Sequence, residues 1–215
     1  MAFLLPVSAH AAETGVDDEI RFLGYRLESP PESGSSENDR DFLQLHELQD
    51  RRTPEDCAAA GEQSKLTLES GFGPETGVLT RDEMEESRIL ATAVIAKAMV
   101  PVVYFKRRFQ RPRPYRVDSD LIPCISKPRL GDDAYPSGHS TIGYALALVL
   151  SKKFPEKRDL ILKQGLQIGE NRVIGGVHHP SDVLAGRRLA EQVVRGMFLQ
   201  SSFAGADYST SKSKY

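Results

Sequence analysis

The longest apolar stretch of the chain, Ile89 to Phe105, decides between two very different folds. Lys97 and Pro101 interrupt it, and Arg88 and Lys106 border it. A bilayer span takes about 20 mainly apolar residues, and a lysine at mid-span is costly there. The stretch therefore reads as a core helix kinked at Pro101, and no membrane span is expected. Just upstream, Thr80-Arg81-Asp82-Glu83 fits a capping box, which opens a helix by satisfying its first N–H groups. Ile89, Val94, Ala98 and Val102 then recur near helical spacing.

The rest of the chain follows the same helical pattern. Helical signals begin at about Asp41, with Phe42, Leu43, Leu45 and Leu48 apolar. Thr53-Pro54-Glu55-Asp56 offers an N-cap, a proline at the first helical position and acids in the first turn. SGFGPETG, residues 70 to 77, reads as a loop, and so does the proline-rich stretch from Arg111 to Pro136. Helices are expected over Ser140 to Phe154, over Glu156 to Val173, and from Pro180 onward. No useful period-2 alternation appears. The expected class is all-α, a compact single-domain bundle, since 215 residues suffice for one full core.

The ends differ from the middle. Residues 1–12, MAFLLPVSAHAA, pair a short apolar run with small residues of the A-x-A kind, as at the end of a secretory signal. Residues 13–40 are rich in Glu, Asp, Ser, Pro and Gly and read as an irregular arm. The helical domain is expected over 41–200, with a flexible polar tail over 201–215. The signal remnant implies a periplasmic or secreted protein. Cys57 and Cys124 are the only cysteines; an exported chain could join them in a disulfide, and a cytosolic one would keep two thiols. The net charge of −2 lacks the basic excess of a nucleic-acid binder, and none is expected as a partner.

Three segments concentrate chemistry that structural helices do not need. Lys106 to Pro114 (KRRFQRPRP) gathers five cations, and arginine forks suit phosphate oxygens. Tyr135 to Thr141 (YPSGHST) stands before an apolar helix, where backbone N–H groups bind anions. There Gly138 permits close approach, Ser137 offers a hydroxyl, and His139 titrates near neutrality as a proton donor would. In Arg172 to Asp182, the acid sits one turn past His178. Its carboxylate could fix one ring nitrogen and leave the other to attack. Singly, these segments also fit a solvated basic stretch, an ordinary N-cap, and a capping acid beside a structural histidine.

Together they say more. Lys106-x6-Arg113-Pro114, Pro136-Ser137-Gly138-His139 and Arg172-x5-His178-x3-Asp182 resemble the three-part signature of the type 2 phosphatidic acid phosphatase superfamily. That family includes bacterial class A non-specific acid phosphatases, membrane lipid phosphatases and vanadium haloperoxidases. The flanks RRTPEDC and RPRPYRVDSDLIPC are similar to the class A enzymes.

The resemblance implies a phosphate site between core helices and hydrolysis of small-molecule phosphate esters without a metal or other cofactor. By similarity, Lys106, Arg113, Ser137, Gly138 and Arg172 hold the phosphoryl oxygens. His178 is the nucleophile, Asp182 orients it, and His139 protonates the leaving alcohol. The family's soluble members suggest a homo-oligomer. Two positions depart from the pattern or crowd it: Asn171 stands where a serine is common, and Arg111-Pro112 duplicates the Arg113-Pro114 pair. The spacing selects Arg113, though both arginines could lie near the pocket, and Asn171 is expected to keep a supporting hydrogen bond. His179 reads as a pocket-rim or surface residue. The competing readings are a vanadate haloperoxidase, a phosphate-binding module, and a metal hydrolase using His139, His178, His179 and Asp182.

Overall fold

A computed structural model describes residues 19–127 and 133–206. The expected signal remnant (1–12) and most of the expected tail (201–215) lie outside the described residues.

The chain first forms a hairpin, β1 (Glu19–Phe22) against β2 (Tyr25–Glu28), antiparallel with Phe22 opposite Tyr25. Its turn residues Leu23 and Gly24 have φ of +48° and +84°, the two-residue geometry that matches strand twist. Eight helices follow among the described residues: α1 (Ser36–Arg51), α2 (Pro54–Glu62), α3 (Leu68–Phe72), α4 (Arg81–Phe109), α5 (Pro114–Val117), α6 (Gly138–Lys153), α7 (Arg158–Ile174) and α8 (Pro180–Ala206). The class is all-α. Thr53 and Thr80 both close capping boxes, with Asp56 and Glu83, and Pro101 sits inside α4 without ending it.

Three expectations need correction. The stretch 13–40 is not wholly irregular, because it holds the hairpin and the first turn of α1. Ser35 caps that helix and Glu37 and Asp39 favour its N-terminus, a start hidden in sequence because the turn is polar. The 70–77 loop overlaps α3 and a short turn at Pro74–Thr76, with Thr67 and Ser70 as an all-hydroxyl capping box. The 111–136 loop contains α5. These elements are too short to show a period.

α6 is buried on nearly all sides and packs against α4, α7 and α8. Glycines permit this closeness. A Cβ on Gly165 would lie 2.3 Å from the Ala147 Cβ, and one on Gly143 would lie 2.7 Å from Ile168 Cγ2. Around this seam sits the main core, with Phe72, Val94, Leu146, Leu150, Ile161 and Ile168 almost fully buried. α4 is long and apolar enough, by length and composition alone, to cross a membrane, though a third of its most apolar window is buried. A disulfide, Cys57–Cys124, ties α2 to the loop after α5.

Candidate active site

The bundle brings the three segments to one place. Lys106 lies in the last turn of α4, Arg113 precedes α5, Ser137 to His139 open α6, Arg172 ends α7, and His178 and Asp182 flank the start of α8. Ser137 caps α6 by accepting from the Ser140 N–H, and its own N–H donates to the Asp182 carbonyl at 2.9 Å. That single bond joins the second segment to the third. A Cβ on Gly138 would meet Val102 Cγ1 at 3.4 Å and Lys106 Cε at 4.0 Å, so the start of α6 lies directly over the lysine. Arg113, Arg172 and His178 are buried, whereas Lys106, Gly138 and His139 keep partial exposure.

The hydrogen bonds fix the state of His178. Arg113 Nη1 lies 2.7 Å from His178 Nε2 and also donates to the Val177 carbonyl at 2.7 Å. A guanidinium only donates, so Nε2 carries the lone pair and the ring proton sits on Nδ1. Nδ1 faces Asp182 Oδ2 at 3.2 Å. This is the tautomer a nucleophilic imidazole needs. Burial, reinforced by Arg113, holds the His178 pKa well below its ordinary value, which keeps the ring neutral.

The neighbours respond to a concentration of positive charge. Burial, with Arg113 nearby, pushes the Lys106 ammonium down to about 7. Burial and then Arg172 push His139 down to about 4, against hydrogen bonds to the carbonyls of Ser64 (3.2 Å) and Gln63. Arg172 falls to about 10 through burial and Arg113. It donates to the Ala60 carbonyl, and its Nε–H is buried with no hydrogen-bond partner among the described residues. A dianion among these groups would act against these shifts, since a nearby negative charge favours each protonated form.

Several residues in this network were not singled out by the motifs. Arg111, the duplicate of the first motif's arginine, is buried with a separate task. Its Nη1 reaches Asp182 Oδ1 at 2.6 Å and the Ser181 hydroxyl at 2.6 Å, and its Nη2 reaches Asp41 Oδ2 at 2.9 Å. Asp41, from α1, also accepts the Ser181 N–H at 3.0 Å. Arg111 thus bridges two buried carboxylates. Burial alone would raise the Asp182 carboxyl, but His179, His178 and Arg111 together hold it far below the usual range. The duplicated Arg111-Pro112 pair was the sequence signal for Arg111; nothing marked Asp41 as a site residue.

His179 is no surface residue. It is buried edge-on against Phe42 at 5.3 Å, with Nδ1 3.1 Å and its backbone N–H 2.8 Å from Asp182 Oδ2. Asn171 keeps hydrogen bonds, donating to Gln63 and accepting from Gln167, each at 2.8 Å. It thereby steadies the segment whose carbonyls face His139 and Arg172. The turn before His178 needs Gly176, whose φ is +74° and whose added Cβ would lie 3.2 Å from Pro123 Cα. Among the described residues no three His, Cys, Asp or Glu side chains are grouped to hold a metal ion.

Comparisons with known proteins give a family match and a shared fold. A family model for the PAP2 superfamily matches residues 87–205. The non-specific acid phosphatase of Providencia stuartii is 32% identical over 151 residues, covering 69% of this chain and 59% of that protein. The chain therefore spans little more than half the length of this relative. Two solved structures share the fold. A bacterial vanadium-dependent iodoperoxidase superposes with a TM-score of 0.62 at 16% identity, covering 79% of this chain and 51% of that one. The transmembrane PAP2-type phosphatidylglycerolphosphate phosphatase of Bacillus subtilis gives 0.54 at 20% identity, covering 82% of this chain and 89% of that one.

Proposed function

The chain belongs to the PAP2 superfamily, and we propose that it hydrolyses phosphomonoesters through a phosphohistidine on His178, with no metal taking part. The observation that carries this reading is the fixed tautomer of His178. Its attacking nitrogen faces an arginine in a nest of cations, and its other nitrogen is held by Asp182.

An incoming phosphoryl group would take the Arg113 donor now directed at His178 Nε2, which frees the lone pair. Lys106, Arg113 and Arg172, with the Ser137 hydroxyl and the Gly138 N–H, would hold the non-bridging oxygens. Fixed cations of this kind stabilise the charge spread over those oxygens during transfer, so the residues themselves supply what a metal ion otherwise would. Nε2 then forms the P–N bond as the ester P–O bond breaks, and His139 hands its proton to the departing alkoxide. In the second step His139 takes a proton from water, the water oxygen forms a P–O bond as the P–N bond breaks and its electron pair returns to Nε2, and inorganic phosphate leaves. The substrate dianion raises His139 from its value in the empty site. That coupling favours mildly acidic conditions, in which an essential acid is loaded. The Cys57–Cys124 disulfide favours an oxidising compartment, periplasmic or secreted.

The test is hydrolysis of p-nitrophenyl phosphate between about pH 5 and 7 with EDTA present, a window chosen for the histidine acid. Turnover that survives EDTA, stops with vanadate and vanishes in His178→Ala is expected. Turnover lost to EDTA would sink the metal-free reading. No ester turnover, but halide oxidation with vanadate and peroxide, would make the same cations a vanadate site instead.

A further inference from the structure

The disulfide joins the two pieces of chain that hold opposite sides of the candidate site. Cys57 lies near the start of α2, and the far end of that helix offers backbone carbonyls to two site residues. Arg172 donates to the Ala60 carbonyl, and His139 to those of Gln63 and Ser64. Cys124 lies in residues 120–125, a strap that runs beneath the turn leading to His178. Its N–H donates to the Gly175 carbonyl at 3.2 Å. The strap presses closely on that turn: a Cβ on Gly175 would lie 2.8 Å from Ile125 Cγ1. Directly beyond the turn, the Val177 carbonyl receives Arg113, and His178 follows.

Hydrogen bonds tie the strap to α1 but not to α2. Gln49 pairs with the Asp120 carbonyl and the Ile122 N–H, and Arg52 donates to the carbonyls of Ile122 and Ile174. Among the described residues no hydrogen bond or ion pair joins α2 to the strap, so the disulfide alone bonds them. Apart from it, α2 is placed chiefly by packing on α7 and by the bonds at its far end. Both cysteines keep partial exposure, which leaves a sulfur within reach of a thiolate from solution.

We propose that the Cys57–Cys124 disulfide is a redox gate on catalysis: closed, it sets His139 and Arg172 against the His178 turn, and opened, it leaves the fold intact and the site slack. The inference rests on the phosphohistidine reading, with His139 as the acid. A dithiol reductant opens the gate by attacking one sulfur to form a mixed disulfide and then closing on itself. Two electrons and two protons pass to the protein: the reductant becomes a disulfide, and Cys57 and Cys124 become thiols. Small shifts of α2 suffice, because proton transfer and the holding of phosphoryl oxygens both depend on hydrogen-bond reach. The enzyme is then weak in a reducing compartment and turned on by oxidation.

The experiment compares oxidised with dithiothreitol-reduced protein of the full chain, with free thiols titrated and the fold followed by circular dichroism at the assay temperature. Two esters are used because their leaving groups differ. p-Nitrophenol departs as a stable anion, whereas the alcohol of glycerol phosphate needs the proton of His139. Reduction should lower kcat/KM about tenfold for glycerol phosphate and only about twofold for p-nitrophenyl phosphate, a share of what a positioned acid supplies. The circular dichroism spectrum should not change, and reoxidation should restore both rates. Cys57→Ala combined with Cys124→Ala, which leaves no thiol, should match the reduced protein and ignore dithiothreitol. Equal activity in both redox states overturns the gate. So does an equal loss on both esters, or loss of the helical spectrum in both the reduced protein and the double variant, since either makes the disulfide a purely structural tie. If the oxidised protein hydrolyses neither ester, the phosphohistidine reading falls and the gate with it.

Discussion

At the scale of single residues, the candidate site is two nested layers, and only the inner one shows in the sequence. Lys106, Arg113, His139, Arg172, His178 and Asp182 could be picked out because each bears a functional group at a telling spacing. Arg111 showed only as a duplicate arginine near the pocket and Asp41 not as a site residue at all, because their importance lies in a contact between α1 and the turn before α5. That contact decides how Asp182 stands, and Asp182 decides the tautomer of His178. Arg111→Met should therefore act in two ways. It leaves Asp41 and Asp182 buried without their cation, a loss of about 3 to 5 kcal/mol by the usual cost of breaking a buried pair. It also frees Asp182 to rotate away from His178, which lowers kcat while KM changes little, since the cations proposed to hold phosphate are untouched. Adding Asp41→Asn removes one orphaned charge and should return part of the stability but none of the kcat. Thermal melts beside steady-state kinetics separate these effects. If the double variant regained full turnover, Arg111 would matter only for folding.

At the scale of elements, the helices were legible where a cap or several turns of periodic apolar residues marked them, the cap alone in α2 and both together in α4. The hairpin, α3 and α5 were not, because four or five residues are too few to carry a period and their pairing partners lie elsewhere. The glycines of the helical seam were also silent, since a glycine in a helix reads as a weak point until its neighbour is known. Two of them should respond differently to the same change. In Gly165→Ala the new Cβ meets the Ala147 Cβ at 2.3 Å, and relief means parting α6 from α7 along their length. Overpacking of this sort costs roughly 1 to 3 kcal/mol. In Gly186→Ala the new Cβ meets the Ser137 carbonyl oxygen at 2.7 Å and Ser140 Cβ at 2.9 Å. That push falls on the turn presenting Ser137, Gly138 and His139. Gly165→Ala should mainly lower the melting temperature, and Gly186→Ala should lower kcat/KM out of proportion to its effect on stability. Equal ratios of activity loss to stability loss in the two variants would mean that the start of α6 is not held by α8.

At the scale of the whole molecule, the fold gathers three cations and two histidines around a site shaped for an anion, and the free protein bears that repulsion. The disulfide and the Asp41–Arg111–Asp182 bridge hold the elements together against it. The consequence is a pH dependence whose sign follows from the histidines. His178 and His139 lie below their ordinary 6.5 in the folded chain, the latter at about 4. Unfolded, both take protons as the pH drops through 6.5, whereas the folded protein refuses them until about 4 for His139. The histidines' contribution to stability is thus full above pH 6.5 and declines between there and about 4, with a slope of up to about 1.4 kcal/mol per pH unit for each proton. Lys106, lowered to about 7, acts in the same sense over a higher range, costing stability as the pH falls from its ordinary 10.5 toward 7. The carboxylates whose pKa is lowered, Asp182 among them, act only below their ordinary range, so a scan from pH 7.5 to 5 isolates the site. On the proposed reading inorganic phosphate binds the folded state and offsets the neighbouring positive charge that adds to burial in excluding these protons, so it should raise the melting temperature and shrink its fall across the scan. His139→Asn removes one of the two histidines and should flatten the fall without phosphate. A wild-type melting temperature that holds level or climbs between pH 7.5 and 5 would mean that the charged groups are not packed as tightly in the free protein as the site geometry requires.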